Sequence, residues 1–158
     1  MNETKTIFVH IGFDWGTAWT KLCYTIGGVQ LPDDIRTFSI GLCDHSGNTQ
    51  HLIPSVVYEY ENKYYTSLDL DEQMRQKASS HKYLKMRALK KRNEEVTLLS
   101  IFFISDLLNK AKSHILHDLE SKKIKKQGDR IEWFVNGGLP SGKELKHERI
   151  YYKRYYDI

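Results

Sequence analysis

Residues 7–26, IFVHIGFDWGTAWTKLCYTI, constrain the fold of this chain more than any other stretch. Ile7–Phe13 is apolar with little alternation, so it reads as a fully buried strand. The run stops at Asp14. Asp14-Trp15-Gly16-Thr17 is a turn signal, and Trp19–Ile26 reads as the returning strand of a hairpin. A carboxylate at the end of a buried strand calls for a partner or a function, because an unpaired buried charge is strongly destabilising. Gly16, Thr17, Thr20 and Lys21 follow it, supplying a close-approach backbone, two hydroxyls and a cation. That set suits a polyphosphate and its metal ion.

The rest of the chain extends the pattern. Ile35–Leu42 alternates as a third strand, so three antiparallel strands open the fold. Asp44 to Asn48 form a turn cluster. Ile53–Tyr60 is β-rich, and Asn62-Lys63 turn it into Tyr64–Thr66. Asp69 to Glu72 start a short helix, and a basic run spans Lys77 to Arg92. Residues 44–92 read as an inserted subdomain between core segments 5–43 and 93–158.

Asn93 is an N-cap with Glu94 and Glu95 in the first turn. Val96, Leu99, Phe103, Leu107, Ala111 and Ile115 recur at helical spacing. Leu98, Ile101, Phe102, Ile104 and Leu108 widen that stripe, which predicts burial of the first half on more than one side. Gly128 and Asp129 break the helix, and Ile131–Asn136 is a short strand. Gly137 to Gly142 read as a loop, and residues 143–158 as a further helix packing through Leu145, Ile150, Tyr151 and Tyr155. The expected class is α/β, with element order β-β-β, insertion, α, β, α.

Bulk properties exclude several classes. With 158 residues, 40% apolar and 28% charged, the chain has a globular composition. No apolar run reaches the roughly 18 residues of a membrane span, and the N-terminus lacks a signal peptide's basic start and apolar core, so a cytoplasmic location is expected. The two cysteines, Cys23 and Cys43, lie in apolar runs and read as buried free thiols. The net charge of +4 is uneven: Met74 to Arg130 holds 15 Lys and Arg against 6 Asp and Glu. Such a middle reads as a solvated helix face, and nucleic-acid binding is disfavoured. His10 reads as a hydrogen-bonded core histidine.

Asp14-Trp15-Gly16-Thr17 resembles the DxGT "phosphate 1" hairpin of the superfamily of actin, sugar kinases and seventy-kilodalton heat-shock chaperones. The element order is similar to that superfamily's first lobe, with its ribonuclease-H-like core. Ile53-Pro54-Ser55-Val56-Val57 resembles the strand that enters the chaperones' inserted subdomain. The segment Lys82 to Leu89 is similar to the one carrying their phosphate-facing lysine, with Lys85 as the positional match. Gly138-Leu139-Pro140 resembles the turn after the fourth strand. Lys21, seven residues after Asp14, matches instead the phosphate-contacting lysine of actin-like proteins.

The resemblance implies ATP and Mg²⁺ as cofactors. Asp14 would hold Mg²⁺ through water, Gly16 and Thr17 would meet the phosphates with Thr20 nearby, and Lys85 or Lys21 would neutralise charge during phosphoryl transfer. The expected partners are nucleotide and a client protein or self-association. The second phosphate hairpin, the adenosine-binding glycines and the last strand and helix of the first lobe have no counterpart here. The chain therefore reads as the N-terminal lobe of a larger ATPase, inactive alone. The alternative is a non-catalytic interaction domain keeping the same fold. Gly137 to Glu144 also approximates a P-loop, but Glu144 stands where Ser or Thr would bind metal, and Pro140 removes an amide from the cradle. A structural turn is the preferred reading there. The cation-aromatic run Tyr151 to Tyr156 fits a helix face as well as it fits a nucleic-acid platform.

Overall fold

The computed structural model describes residues 4–27, 37–90 and 93–138. The expected loop and helix beyond Gly138, the approximate P-loop and the Tyr151 to Tyr156 run all lie outside the described residues. In chain order the elements are β1 (Thr6–Trp15), β2 (Trp19–Gly27), β3 (Phe38–Ser39), β4 (Leu42–Cys43), β5 (Thr49–Gln50), β6 (Ile53–Pro54), β7 (Val56–Tyr60) and β8 (Lys63–Thr66). Then come α1 (Glu72–Lys77), β9 (Ser79–Lys82), α2 (Leu84–Lys90), α3 (Glu94–Ser121) and β10 (Arg130–Gly137). The chain is thus a mixed α/β structure, and none of its described helices is long and apolar enough to cross a membrane.

The main sheet has strand order β10-β1-β2-β3, with β6 also paired to β2. β1 is antiparallel to β2 and parallel to β10. The parallel register begins at a turn carboxylate. Asp129 accepts from the Lys5 amide at 3.2 Å and the Lys126 amide at 2.8 Å, and the Arg130 amide donates to the Lys5 carbonyl at 2.9 Å. Those backbone bonds hold the Asp129 carboxyl below the usual carboxylate range. Gly137 is then set beside Phe13, so β1 and β10 end together at the Asp14 edge.

α3 forms for the reasons its sequence predicts. The Asn93 side chain accepts from the Val96 amide at 3.1 Å, and Glu94 and Glu95 sit in the first turn, where carboxylates favour the helix. Its stripe Val96, Leu99, Phe103, Leu107, Ala111, Ile115 and Leu119 is buried in one cluster with Ile7, Val9, Ile11, Phe13, Leu22, Tyr24 and Ile26. Tyr24 and Asp118 tie the helix to the sheet by a hydrogen bond, and Lys122 pairs with Asp118 at 2.7 Å. Burial raises the Tyr24 hydroxyl above its ordinary range, and the Asp118 carboxylate adds to the effect.

Five expectations need correction. Ile7–Phe13 is not buried on both sides: its odd-numbered residues are buried, whereas Phe8 and Gly12 are partly exposed and His10 is exposed. Strand alternation gives the two faces different environments, and α3 covers only the inner one. His10 is accordingly not a core histidine but stacks on Phe134, ring centroids 4.7 Å apart. Ile35–Leu42 is not one strand. β3 stays with β2, then Gly41 lets the chain pass within van der Waals reach of β5, where a Cβ would stand 2.3 Å from Thr49 Cγ2, and β4 pairs with β5 instead.

The two remaining corrections concern burial. Leu98 and Ile101 do not widen the buried stripe, being 60% and 38% exposed, because they lie on the side of α3 turned from the core. Cys43 is an exposed free thiol, while Cys23 is partly buried.

β7, β8 and β9 form a separate three-stranded sheet that, with α1 and α2, fills the stretch between β6 and α3. A polar cluster fastens it to α3. Thr66 Oγ1 donates to Asp69 at 2.7 Å and Asp106 at 3.1 Å, and Lys110 pairs with Asp106 at 2.5 Å and Asp69 at 3.0 Å. Lys110, paired with both, offsets the mutual repulsion of the two part-buried carboxylates.

Candidate functional site

The site is built on the β1–β2 turn. The Gly16 amide donates to the Trp19 carbonyl at 3.1 Å, and a Cβ at position 16 would stand 2.3 Å from that oxygen. Only glycine closes the turn this tightly. Thr17 and Ala18 complete it, and neither of their amides meets a backbone acceptor among the described residues. The Ala18 carbonyl is held by the Ser55 amide at 2.9 Å.

Asp14 and Lys21 are cross-strand partners, and both side chains are exposed on the outer face. The carboxylate is therefore solvated rather than desolvated by burial. Its neighbours make the position distinctive. Lys85 reaches the hairpin from α2, 70 residues further along the chain, and its ammonium donates to the Trp15 carbonyl at 2.5 Å. Burial pushes the Lys85 amine below its ordinary value, and the nearby Asp14 charge pulls the other way. An ammonium held in a partly dry site near the strand-end carboxylate of Asp14 adds positive charge where an anion could bind.

Gly138 comes to the same place from β10. Its amide donates to the Phe13 carbonyl at 2.8 Å, and a Cβ there would stand 3.6 Å from Asp14 Oδ1. Two parallel strand ends thus leave a carboxylate with glycine backbone on either side, at the carboxyl end of a sheet where ligands of α/β folds bind. A cavity of about 350 Å³ opens there, lined by Asp14, Lys21, Gly12, Cys23, Ser39 and Gly138 among others.

The candidates do not all converge. Asp14, Gly16, Thr17, Lys21 and Lys85 surround the turn. Thr20 points to the opposite face: it is fully buried and shares a 2.8 Å hydrogen bond with Ser55 Oγ. The register explains the split, since Thr20 pairs with buried Trp15 and Lys21 with exposed Asp14. Gly138, Ser39 and Cys23 were not singled out as ligand neighbours from sequence. Gly138 joins them because β10 pairs parallel to β1 and ends beside Asp14.

Among the described residues there is no group of three or more His, Cys, Asp or Glu able to hold a metal. A lone exposed carboxylate fits Mg²⁺ arriving with a polyphosphate, since that ion keeps most of its waters and takes phosphate oxygens. It does not fit a structural zinc or calcium site. No protein-family model, curated protein or solved structure matches the chain.

Proposed function

We propose that this chain is the N-terminal lobe of a divergent heat-shock-like or actin-like ATPase, with a ribonuclease-H-like core, that receives the phosphates of Mg-ATP at the β1–β2 hairpin. One observation carries most of the weight: Lys85, remote in sequence, meets the Asp14 hairpin at the Trp15 carbonyl. The strand order, the parallel β1–β10 pair and the arrival of Gly138 beside Asp14 also favour it. In this reading Asp14 would hold Mg²⁺ through water, Gly16 and Thr17 would offer backbone and hydroxyl groups, and Lys85 and Lys21 would offset phosphate charge. Bound Mg²⁺ would supply charge neutralisation at the phosphates. Turnover requires a second lobe to close over the nucleotide and exclude water, so this lobe by itself binds weakly.

Outward-facing Leu98 and Ile101 favour a second reading, a non-catalytic interaction domain on the same fold. Isothermal titration of Mg-ATP into wild type and Asp14→Ala separates the two. The ATPase-lobe reading expects weak binding, at about 0.1–1 mM, that falls at least ~10-fold in the variant, as loss of a charge-assisted contact requires. Binding unaffected by Asp14→Ala, or none in the wild type, would remove the hairpin from consideration.

A further inference from the structure

We infer that Ser55 is a positioning residue for the hairpin turn. Its backbone amide donates to the Ala18 carbonyl at 2.9 Å, and its hydroxyl shares a 2.8 Å hydrogen bond with Thr20 Oγ1, both side chains being buried. The two residues before it pair with the first two of β2, Pro54 with Trp19 and Ile53 with Thr20. Residues 53–55 therefore grip the turn from its C-terminal side, while Lys85 grips the Trp15 carbonyl on the other. Between these grips lie the Thr17 and Ala18 amides, which have no backbone acceptor among the described residues. Donors carried on a turn already fixed at both flanks need not be ordered when an anion arrives, and that preorganisation is what makes amide cradles effective.

Ser55 touches no ligand in this scheme. It acts through Thr20 and Ala18, and the inference rests on the hairpin being the phosphate site.

Isotope-labelled full chain, with Mg-ATP as the probe, tests it. Ser55→Ala is expected to move the Gly16, Thr17 and Ala18 amide resonances and speed their solvent exchange before any ligand is added. Mg-ATP binding should weaken about 3- to 10-fold, the net worth of one hydrogen bond. Ser55→Thr, which keeps the hydroxyl, should return both properties toward wild type. The pair Ser55→Ala with Thr20→Val leaves neither hydroxyl orphaned. It should regain the wild-type melting temperature without regaining affinity, and it serves if Ser55→Ala alone does not fold. Turn resonances of Ser55→Ala that superimpose on wild type, or affinity that returns together with stability in the pair, would reduce Ser55 to a core residue. A wild type that does not bind Mg-ATP sinks the phosphate reading instead, while the turn resonances still decide whether Ser55 holds the turn.

Discussion

Lys85→Met is expected to weaken Mg-ATP binding about 10- to 100-fold, the loss that follows removal of a charged hydrogen-bond donor. Its melting temperature should compare more favourably with the wild type at pH 7 than at pH 10. The two halves of this expectation have the same origin. Lys85 is 9% exposed and donates to the Trp15 carbonyl at 2.5 Å. Burial depresses its amine, with Asp14 opposing. A lysine whose folded-state value is depressed binds its proton less tightly in the folded chain than in the unfolded one. Its contribution to stability is therefore present above the unfolded value, about 10.4, and lost as pH falls through the folded value. At neutral pH the buried ammonium is disfavoured relative to the neutral amine, a penalty that methionine of similar length does not carry. The melting temperature of the variant relative to wild type should fall as pH rises toward 10. Thermal melts at pH 7 and pH 10, with Mg-ATP titrations at pH 7, check both halves. A variant that melts lower at pH 7 but binds as wild type would make Lys85 a structural residue.

Phe103→Ala should cost about 3–5 kcal/mol, the range for truncating a fully enclosed aromatic ring. Phe103 is 0% exposed in the middle of the α3 stripe, where it belongs to the cluster shared with β1 and β2. For a chain of this size each kcal/mol lowers the melting temperature by roughly 2–4 °C. Leu98→Ala on the same helix is the control. Leu98 is 60% exposed, so its truncation should stay within about 0.5 kcal/mol. Urea unfolding of the two variants beside wild type measures the contrast. Equal losses at both positions would mean that α3 is buried on two sides and that the single-faced packing is wrong.

The two positions also mark where the sequence was legible. The buried stripe of α3, its Asn93 cap, the β1–β2 hairpin and β10 follow from local periodicity and capping chemistry, which depend on neighbours close in the chain. Leu98 and Ile101 were misread because hydrophobicity alone does not say how many sides of a helix are covered. Ile35–Leu42 was misread because Gly41 and its contact with Thr49, made by a residue from another strand, divide it.

At the candidate site, Asp14, Gly16 and Thr17 stand out in the sequence by type and spacing. Lys85 stands out only by resemblance, since nothing local to a basic run distinguishes one lysine from its neighbours. The apolar run of β1 suggests a buried Asp14, whereas strand alternation puts it with His10 on the exposed face. Thr20 was grouped with Lys21 by adjacency, yet successive strand residues face opposite sides, and the hydroxyl is used inside the core by Ser55. Gly138 depended on the parallel pairing of β1 with β10, a long-range contact that periodicity does not contain.

Substituting Mn²⁺ for Mg²⁺ in the ATP complex tests the central claim most directly, because the paramagnetic ion broadens nearby amide resonances according to distance. The account predicts broadening centred on Asp14, Gly16, Thr17 and Gly138, absent when Mn²⁺ is added without nucleotide and lost in Asp14→Ala. Broadening centred elsewhere, on the His114 and His117 side of α3 for instance, or none with ATP present, would contradict it.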